Sequence, residues 1–238
     1  MVKKVMMFSI CALALAASTG AAFAEQPVLG VAEFRNTASG VYWWGGGVGW
    51  ELSGMLTNEL AATNSFRVVE RSKLEHVLRE QDLADYGRVS KGTGAKIGKL
   101  TGAQYLVLGT VSAFERNVGK TGGGIGFRGV RVGGKKEDAY LAVDLRVVDT
   151  TSGEIKFVRT VEGRAASKGI RLGLYKGGFG GNLEKENKTP AGKAIRAAIV
   201  EITDYLECAM VKQDGCMAEY DAKERKRRQG LKDSIKLD

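Results

Sequence analysis

The chain's 238 residues, 44% of them hydrophobic, suffice for one packed core, and two prolines in the whole length exclude a disordered linker architecture. The single histidine, His76, falls inside a predicted helix, which argues against a His-based catalytic triad, and one histidine cannot make a His-rich metal site. The formal net charge of +9 is concentrated in two glycine-rich stretches. Asn117–Lys136 holds Lys120, Arg128, Arg131, Lys135 and Lys136, and Gly163–Gly181 holds Arg164, Lys168, Arg171 and Lys176, neither with an acid.

Residues 1–24 read as a signal peptide. Lys3 and Lys4 form the basic start, Val5 to Ala17 is apolar, and Ala22-Phe23-Ala24 places small residues at the −3 and −1 positions. The apolar run is short of the roughly 20 residues that a spanning helix needs, and no later stretch reaches that length. Cys11 follows Phe8-Ser9-Ile10, which is not a lipobox. The expectation is an exported, periplasmic protein with an α/β domain over residues 25–210, inserts at 117–136 and 163–181, and a charged tail over 211–238.

Val28–Phe34 is apolar and β-rich, a buried strand. Leu52, Met55, Leu56, Leu60 and Ala61 fall at helical spacing within Gly47–Thr63. Phe66–Val69 reads as a short strand, and Ser72-Lys73-Leu74-Glu75 as a capping box opening a helix with Leu74, Val77 and Leu78 on one face. A short third helix is expected over Gly94–Leu100, then a strongly apolar strand over Gln104–Val111.

Ala139–Val148 alternates, with Leu141, Val143, Leu145 and Val147 on one face and Asp144 and Arg146 on the other. Thr151-Ser152-Gly153 turns the chain into a strand over Glu154–Val161. Thr189-Pro190 pairs an N-cap with proline at the first helical position, opening a helix to about Met210 that buries Ile195, Ile199, Ile202 and Leu206. Cys208 and Cys216 flank a Gln213-Asp214-Gly215 turn and read as a local disulfide in an oxidising compartment, with two free thiols as the alternative. Ala222–Asp238 is a solvated helix end or a disordered tip; over the whole tail, 211–238, eight Lys and Arg stand against six acids, so no nucleic-acid partner is expected. The order predicts an α/β (α+β) fold, a mixed sheet flanked by helices.

Nothing in the chain reads as catalytic. Gly119-Lys120-Thr121 ends like a phosphate loop, but Phe114 stands where the pattern needs glycine. Gly124-Ile125-Gly126-Phe127-Arg128-Gly129 spells G-x-G-x-x-G yet leads into a basic glycine-rich stretch and then a strand, not a helix. No enzyme activity, cofactor or metal is expected. Both inserts instead extend strands of the sheet, and with their flanks they reach the about 9–11 residues per strand of a transmembrane β-hairpin. In the second, Ile170, Leu172 and Leu174 alternate with Arg171, Gly173 and Tyr175. In the first, Ile125 and Phe127 alternate, but Val130 and Val132 fall out of phase, so the pattern breaks or turns there. Two hairpins cannot close a barrel alone, because open strand edges are not tolerated in lipid, so insertion requires an oligomer. Solvated loops are the alternative.

Three stretches carry a family likeness: Phe66-Arg67-Val68-Val69-Glu70-Arg71 with Leu74 and Leu78; Gly109-Thr110-Val111 with Phe114-Glu115-Arg116-Asn117-Val118; and Leu145-Arg146-Val147-Val148-Asp149-Thr150-Thr151-Ser152-Gly153-Glu154-Ile155. Over roughly Val28 to Met210 the chain resembles the curli assembly/transport (CsgG-like) family of outer-membrane secretion channels. The resemblance implies a homo-oligomeric ring in which each protomer gives two β-hairpins to one shared barrel. It also implies a loop after the first strand that narrows the pore for unfolded amyloid subunits. It places the hairpins on the two inserts and the constriction on Tyr42, Trp43 and Trp44, beside Gly45-Gly46-Gly47; the alternative for these three is aromatics that fold back over the core. Family members that form the curli channel are lipoproteins, whereas this chain lacks the lipobox cysteine. Its second insert is also short and basic, with a thin apolar band.

A cation facing lipid near mid-membrane costs about 2–4 kcal/mol, so the insert charges must face the lumen or the loop ends. Arg128, Arg131, Arg171 and Lys176 are the candidates for lining it. The leading expectation is a channel associated with the outer membrane that exports unfolded extracellular fibre subunits together with accessory assembly proteins. The alternative is a soluble periplasmic module of the same fold that docks a cell-envelope partner without a pore. A third reading, an anion- or polysaccharide-binding protein, predicts salt-sensitive binding.

Overall fold

The computed structural model describes residues 25–116, 138–165 and 188–235, together with 126–127, 130–131, 183 and 185. In chain order the elements are β1 (Val28–Val31), β2 (Arg35–Asn36), α1 (Val48–Ala62), β3 (Arg67–Val69), α2 (Leu74–Asp85), β4 (Tyr105–Arg116), β5 (Gly126–Phe127), β6 (Val130–Arg131), β7 (Ala139–Asp149), β8 (Ile155–Ala165), α3 (Pro190–Glu207), a π-helical turn at Cys208–Lys212, and α4 (Met217–Ser234).

β1 is buried at every position, and such continuous apolar strands belong at the centre of parallel sheet. It lies parallel between β3 and β4, with Leu29 opposite Val68 on one side and Tyr105 on the other. β4 outruns it, and β2 takes up the vacated edge at Thr110 and Val111. β7 and β8 then add antiparallel, giving the order β3-β1-β4-β7-β8. The sheet is therefore mixed, parallel at one end and a meander at the other. Its inner face carries Val107, Leu141, Val143, Leu145 and Val147, none more than 2% exposed. α1 covers β1 and β3, α3 covers β7 and β8, and the two helices touch.

The boundaries of α1 and α3 follow their local chemistry. Gly47 stands in the left-handed region (φ 88°) at the start of α1, a conformation that favours glycine. The Thr189 hydroxyl accepts from Gly192 N at 3.1 Å, with Pro190 next in line. β8 runs through Gly163 to Ala165, so the first residues of the second glycine-rich stretch belong to the sheet. A Cβ at Gly163 would lie 2.0 Å from the Ala194 carbonyl oxygen of α3. Gly163→Val should therefore push β8 off α3 and cost about 3 kcal/mol. Chemical denaturation checks this, and an unchanged midpoint would mean that the strand end does not pack there.

Three local expectations are corrected. The capping box at Ser72–Glu75 does not form; Glu70 Oε1 accepts instead from Ser72 N, Ser72 Oγ and Lys73 N at 2.6, 2.7 and 3.0 Å. The face expected to bury Leu74, Val77 and Leu78 buries only Gln81. The expected helix at Gly94–Leu100 is a run of turns, with Gly92 and Gly98 at φ 85° and 72°.

The tail is helical as α4, and two ties hold its start. Cys208 and Cys216 are joined as a disulfide with Cα atoms 5.9 Å apart. Arg159 of β8 lies between the rings of Tyr205 and Tyr220 at 5.2 and 5.0 Å and donates to the Tyr220 carbonyl oxygen. Farther along, Glu224 accepts from Arg227 and Arg228 at 2.8 and 2.9 Å. The Arg227 hydrogen bond first, and then Arg228, outweigh burial and hold the Glu224 carboxyl down from 4.5 to about 2. A depressed carboxyl stabilises the fold above its unfolded pKa and loses that contribution as pH falls through the folded one. Acidification from about pH 5 to about pH 2 should thus loosen the middle of α4. Glu224→Gln should be loosened already at neutral pH. Backbone chemical shifts of residues 222–230 read the difference, and pH-independent shifts in the wild type would contradict it.

Candidate functional site

The aromatic loop, the exits of both inserts and the return of the second insert converge at one end of the sheet. Arg116, the last residue of β4, lies opposite Ala139, the first of β7, and Ala139 lies opposite Ala165, the last of β8. The first insert leaves from Arg116 and re-enters at Ala139, while the second leaves from Ala165. Leu183, fully buried, donates its backbone N–H to Glu51 Oε2 at 3.0 Å, fixing the chain that follows the second insert to the first turn of α1.

The loop from Thr37 to Gly47 is built onto the same end. Thr37 N and Ala38 N both donate to the Val111 carbonyl, and Asn36 Oδ1 accepts from Ala38 N at 3.0 Å. Gly40 takes φ 71° to turn the chain, and Trp44 N donates to the Val41 carbonyl at 3.0 Å. Three consecutive aromatics then point to different places. Trp43 is 6% exposed and meets Phe114 of β4 edge-on at 5.5 Å. Its Nε1 is buried without a hydrogen-bond partner among the described residues. Trp44 is half-buried beside it, with ring centroids 5.8 Å apart. Tyr42 is 50% exposed, and the Arg116 guanidinium stands 4.3 Å over its ring.

On the outer face of the same strand ends runs a polar ladder. Tyr140 lies between Glu115 and Arg164 in register. Arg164 stacks on the Tyr140 ring at 5.1 Å and pairs with Glu162 at 2.9 Å. Burial first, and then the Glu162 carboxylate, push the Tyr140 hydroxyl up to about 12, so it stays neutral and able to donate. The sheet thus reaches the inserts with an apolar inner face and a charge-paired outer one.

Of the residues proposed to line a lumen, Arg128, Arg171 and Lys176 lie outside the described residues. Arg131 falls in β6, whose backbone pairs antiparallel with β5 as Gly126 opposite Arg131 and Phe127 opposite Val130. The chain therefore reverses between Phe127 and Val130, where the alternation of the first insert loses phase. Three participants escape a reading of the sequence. Arg116 and Phe114 stand against the aromatic loop only because β4 continues five residues beyond Val111, past a bulge between Val111 and Ala113. Glu51 reads as an ordinary first-turn acid, and its tie to Leu183 is visible only in three dimensions. Among the described residues, no group of three His, Cys, Asp or Glu side chains could hold a metal ion, and no helix is long and apolar enough to cross a membrane.

The family model for "Curli production assembly/transport component CsgG" matches residues 13–235. The curated proteins of that name from Escherichia coli K12 and Salmonella typhimurium are each 26% identical over 126 residues, 51% of this chain and 46% of theirs. The alignment spans about half the length of these curated relatives. Among solved structures, the hypothetical protein CT253 from Chlamydia trachomatis is similar at 11% identity, with 78% of this chain and 98% of that one covered and a TM-score of 0.45. The PelC dodecamer from Paraburkholderia phytofirmans is similar at 13% identity, with 79% and 92% covered and a TM-score of 0.37.

Proposed function

The chain belongs to the curli production assembly/transport component family, and from that premise we propose that it is a non-catalytic secretion component. In this reading the chain forms an oligomeric channel associated with the outer membrane, which exports unfolded subunits of an extracellular fibre. The observation that carries the proposal is the convergence at one end of the sheet. Arg116, Ala139 and Ala165 are cross-strand neighbours, so both glycine-rich inserts set out side by side from strands already in register. The aromatic loop holds Tyr42 against the same edge.

A hairpin emerging from paired strands inherits their hydrogen-bond ladder. Its outer edges still need partners, which in lipid only further copies closing a barrel can give. Lys and Arg at Arg128, Arg131, Arg171 and Lys176 then face the lumen, where positive charge draws in acidic, unfolded chains. Tyr42, the exposed ring of the three, sets the width of the entrance below the barrel, while Trp43 packs on Phe114 and anchors the loop that carries it. Transport in this reading is diffusive, with accessory assembly proteins supplying direction.

Fractionation together with planar-bilayer recording tests it. The expected result is protein in the outer-membrane fraction and discrete conductance from the detergent extract. Monomer confined to the soluble periplasm, without conductance, would instead support a soluble accessory module docking a cell-envelope partner.

A further inference from the structure

α4 divides into a held half and a free half. Its held stripe is Tyr220, Glu224 and Arg227, and every residue from Arg228 to Ile235 is exposed. Tyr220 packs on Tyr205 and Arg159, and Lys223 pairs with Glu201 of α3 at 3.4 Å. The hydrogen bond to Glu224 first holds the Arg227 guanidinium charged against burial, and the carboxylates of Glu162 on β8 and Asp144 on β7 add to it.

These contacts set the direction of the helix. From Tyr220 to Arg227 α4 rises about 10 Å, and from Arg159 to Glu162 β8 advances about 10 Å toward the end where the inserts leave. α4 therefore runs beside β8 toward that end. It continues as one helix to Ser234. Leu231 and Ile235, one and two turns past Arg227, come about 6 and 12 Å farther, level with Ala165 at about 10 Å past Glu162.

The free half also has its own chemistry. Residues 225–232 hold five Lys and Arg and no acid, although the tail as a whole is near balance. Leu231 and Ile235 are 51% and 56% exposed. Ile235 N donates to the Leu231 carbonyl at 3.1 Å, so the two lie one turn apart on one face. Arg225, Arg228 and Lys232 recur at three- and four-residue spacing beside them. An apolar row flanked by cations suits a helix lying in a bilayer interface, and anionic headgroups complement its charge. Two such ends brought together would set cation against cation, which disfavours a second copy as the occupant.

We infer that the free end of α4, residues 225–235, docks on a bilayer surface of anionic phospholipid. Leu231 and Ile235 enter the interface, and Arg225, Arg228 and Lys232 meet the headgroup phosphates. The inference rests on the outer-membrane reading for the side on which lipid lies, but it needs no pore.

Amide hydrogen exchange in α4 of the full chain tests it, as vesicles are titrated into protein held in a trace of uncharged detergent. Vesicles containing phosphatidylglycerol are expected to protect residues 225–235, whereas phosphatidylcholine alone should leave them unchanged. Raising salt from about 0.1 to about 1 M shortens the Debye length from about 10 to about 3 Å and should reverse the protection. Arg225→Gln, Arg228→Gln and Lys232→Gln together should raise the lipid needed for half-protection about 100-fold. Arg227 still pairs with Glu224 in that variant, and exchange without lipid checks that α4 stays folded. Leu231→Ser with Ile235→Ser should raise it at least about tenfold.

Equal exchange with both kinds of vesicle would overturn the inference, as would a triple variant that titrates like the wild type. Protection by glycerol phosphate at the same phosphate concentration would replace a lipid surface with a simple anion site. Protection that grows with protein concentration, without lipid, would give the face to a second copy. Conductance absent while the protection persists would remove the channel reading alone. Conductance present without the protection would remove this inference alone.

Discussion

Replacing residues 117–138 by an Asn-Gly turn is expected to abolish conductance and export while the α/β domain stays folded. Arg116 and Ala139 already face each other across the β4–β7 ladder, so a tight two-residue hairpin can close the gap with little rearrangement. The core residues of β4 and β7, from Val107 to Val147, lie farther along the same ladder and keep their neighbours. The change removes one of the two hairpins that each protomer would give to a barrel, and a barrel lacking every second hairpin has open edges that lipid does not tolerate. Bilayer recordings should lose all discrete openings, and the thermal midpoint should stay within a few degrees. Retained export by this variant would assign the transport path to some other part of the molecule.

Trp43→Ala is expected to destabilise the domain by about 3–5 kcal/mol, the range for truncating a buried aromatic. Trp43 is 6% exposed and packs edge-on against Phe114, two residues before the end of β4. The loss would fall on the loop and on the end of β4 together. Tyr42→Ala should behave oppositely. Half of Tyr42 is exposed, so the change gives up its contact with the Arg116 guanidinium, worth about 0.5–1 kcal/mol at an exposed site. If Tyr42 narrows the entrance as proposed, conductance should rise in Tyr42→Ala channels. Urea denaturation of both variants separates these effects. Equal destabilisation would mean that both rings are core residues and that neither sets a passage.

Where alternation or helical spacing spans a whole element, the sequence alone discloses the fold. β7 shows this, since Leu141, Val143, Leu145 and Val147 are each buried and Arg146 between them is exposed. α3 shows it again through Thr189, Pro190 and its apolar stripe. Reading fails where a distant partner decides. The apolar face of α2 reads as a core face, yet Gln81 is its one buried residue and Val77 and Leu78 stay exposed. Glu70 caps α2 from outside the expected box, because its carboxylate reaches three donors at once. Glu219–Lys223 and Glu224–Arg228 pairs at helical spacing extend α4 through a tail whose charge hides its order.

The aromatic loop teaches the same lesson at the site. Tyr42, Trp43 and Trp44 are consecutive, and nothing in their own chemistry distinguishes the one that turns inward. That choice belongs to Phe114 and Arg116, some seventy residues later in the chain. The convergence of the inserts is likewise a matter of register. Glycine and charge mark both stretches in the sequence, but only the pairing of Arg116, Ala139 and Ala165 shows that they leave the sheet together.

Electron microscopy of the detergent-extracted chain tests the central proposal most directly. Closed rings of uniform size, with a central opening and a barrel rising from one face, are the result that a shared channel requires. Particles the size of one protomer, at the same protein concentration and in detergents that preserve membrane oligomers, would contradict it.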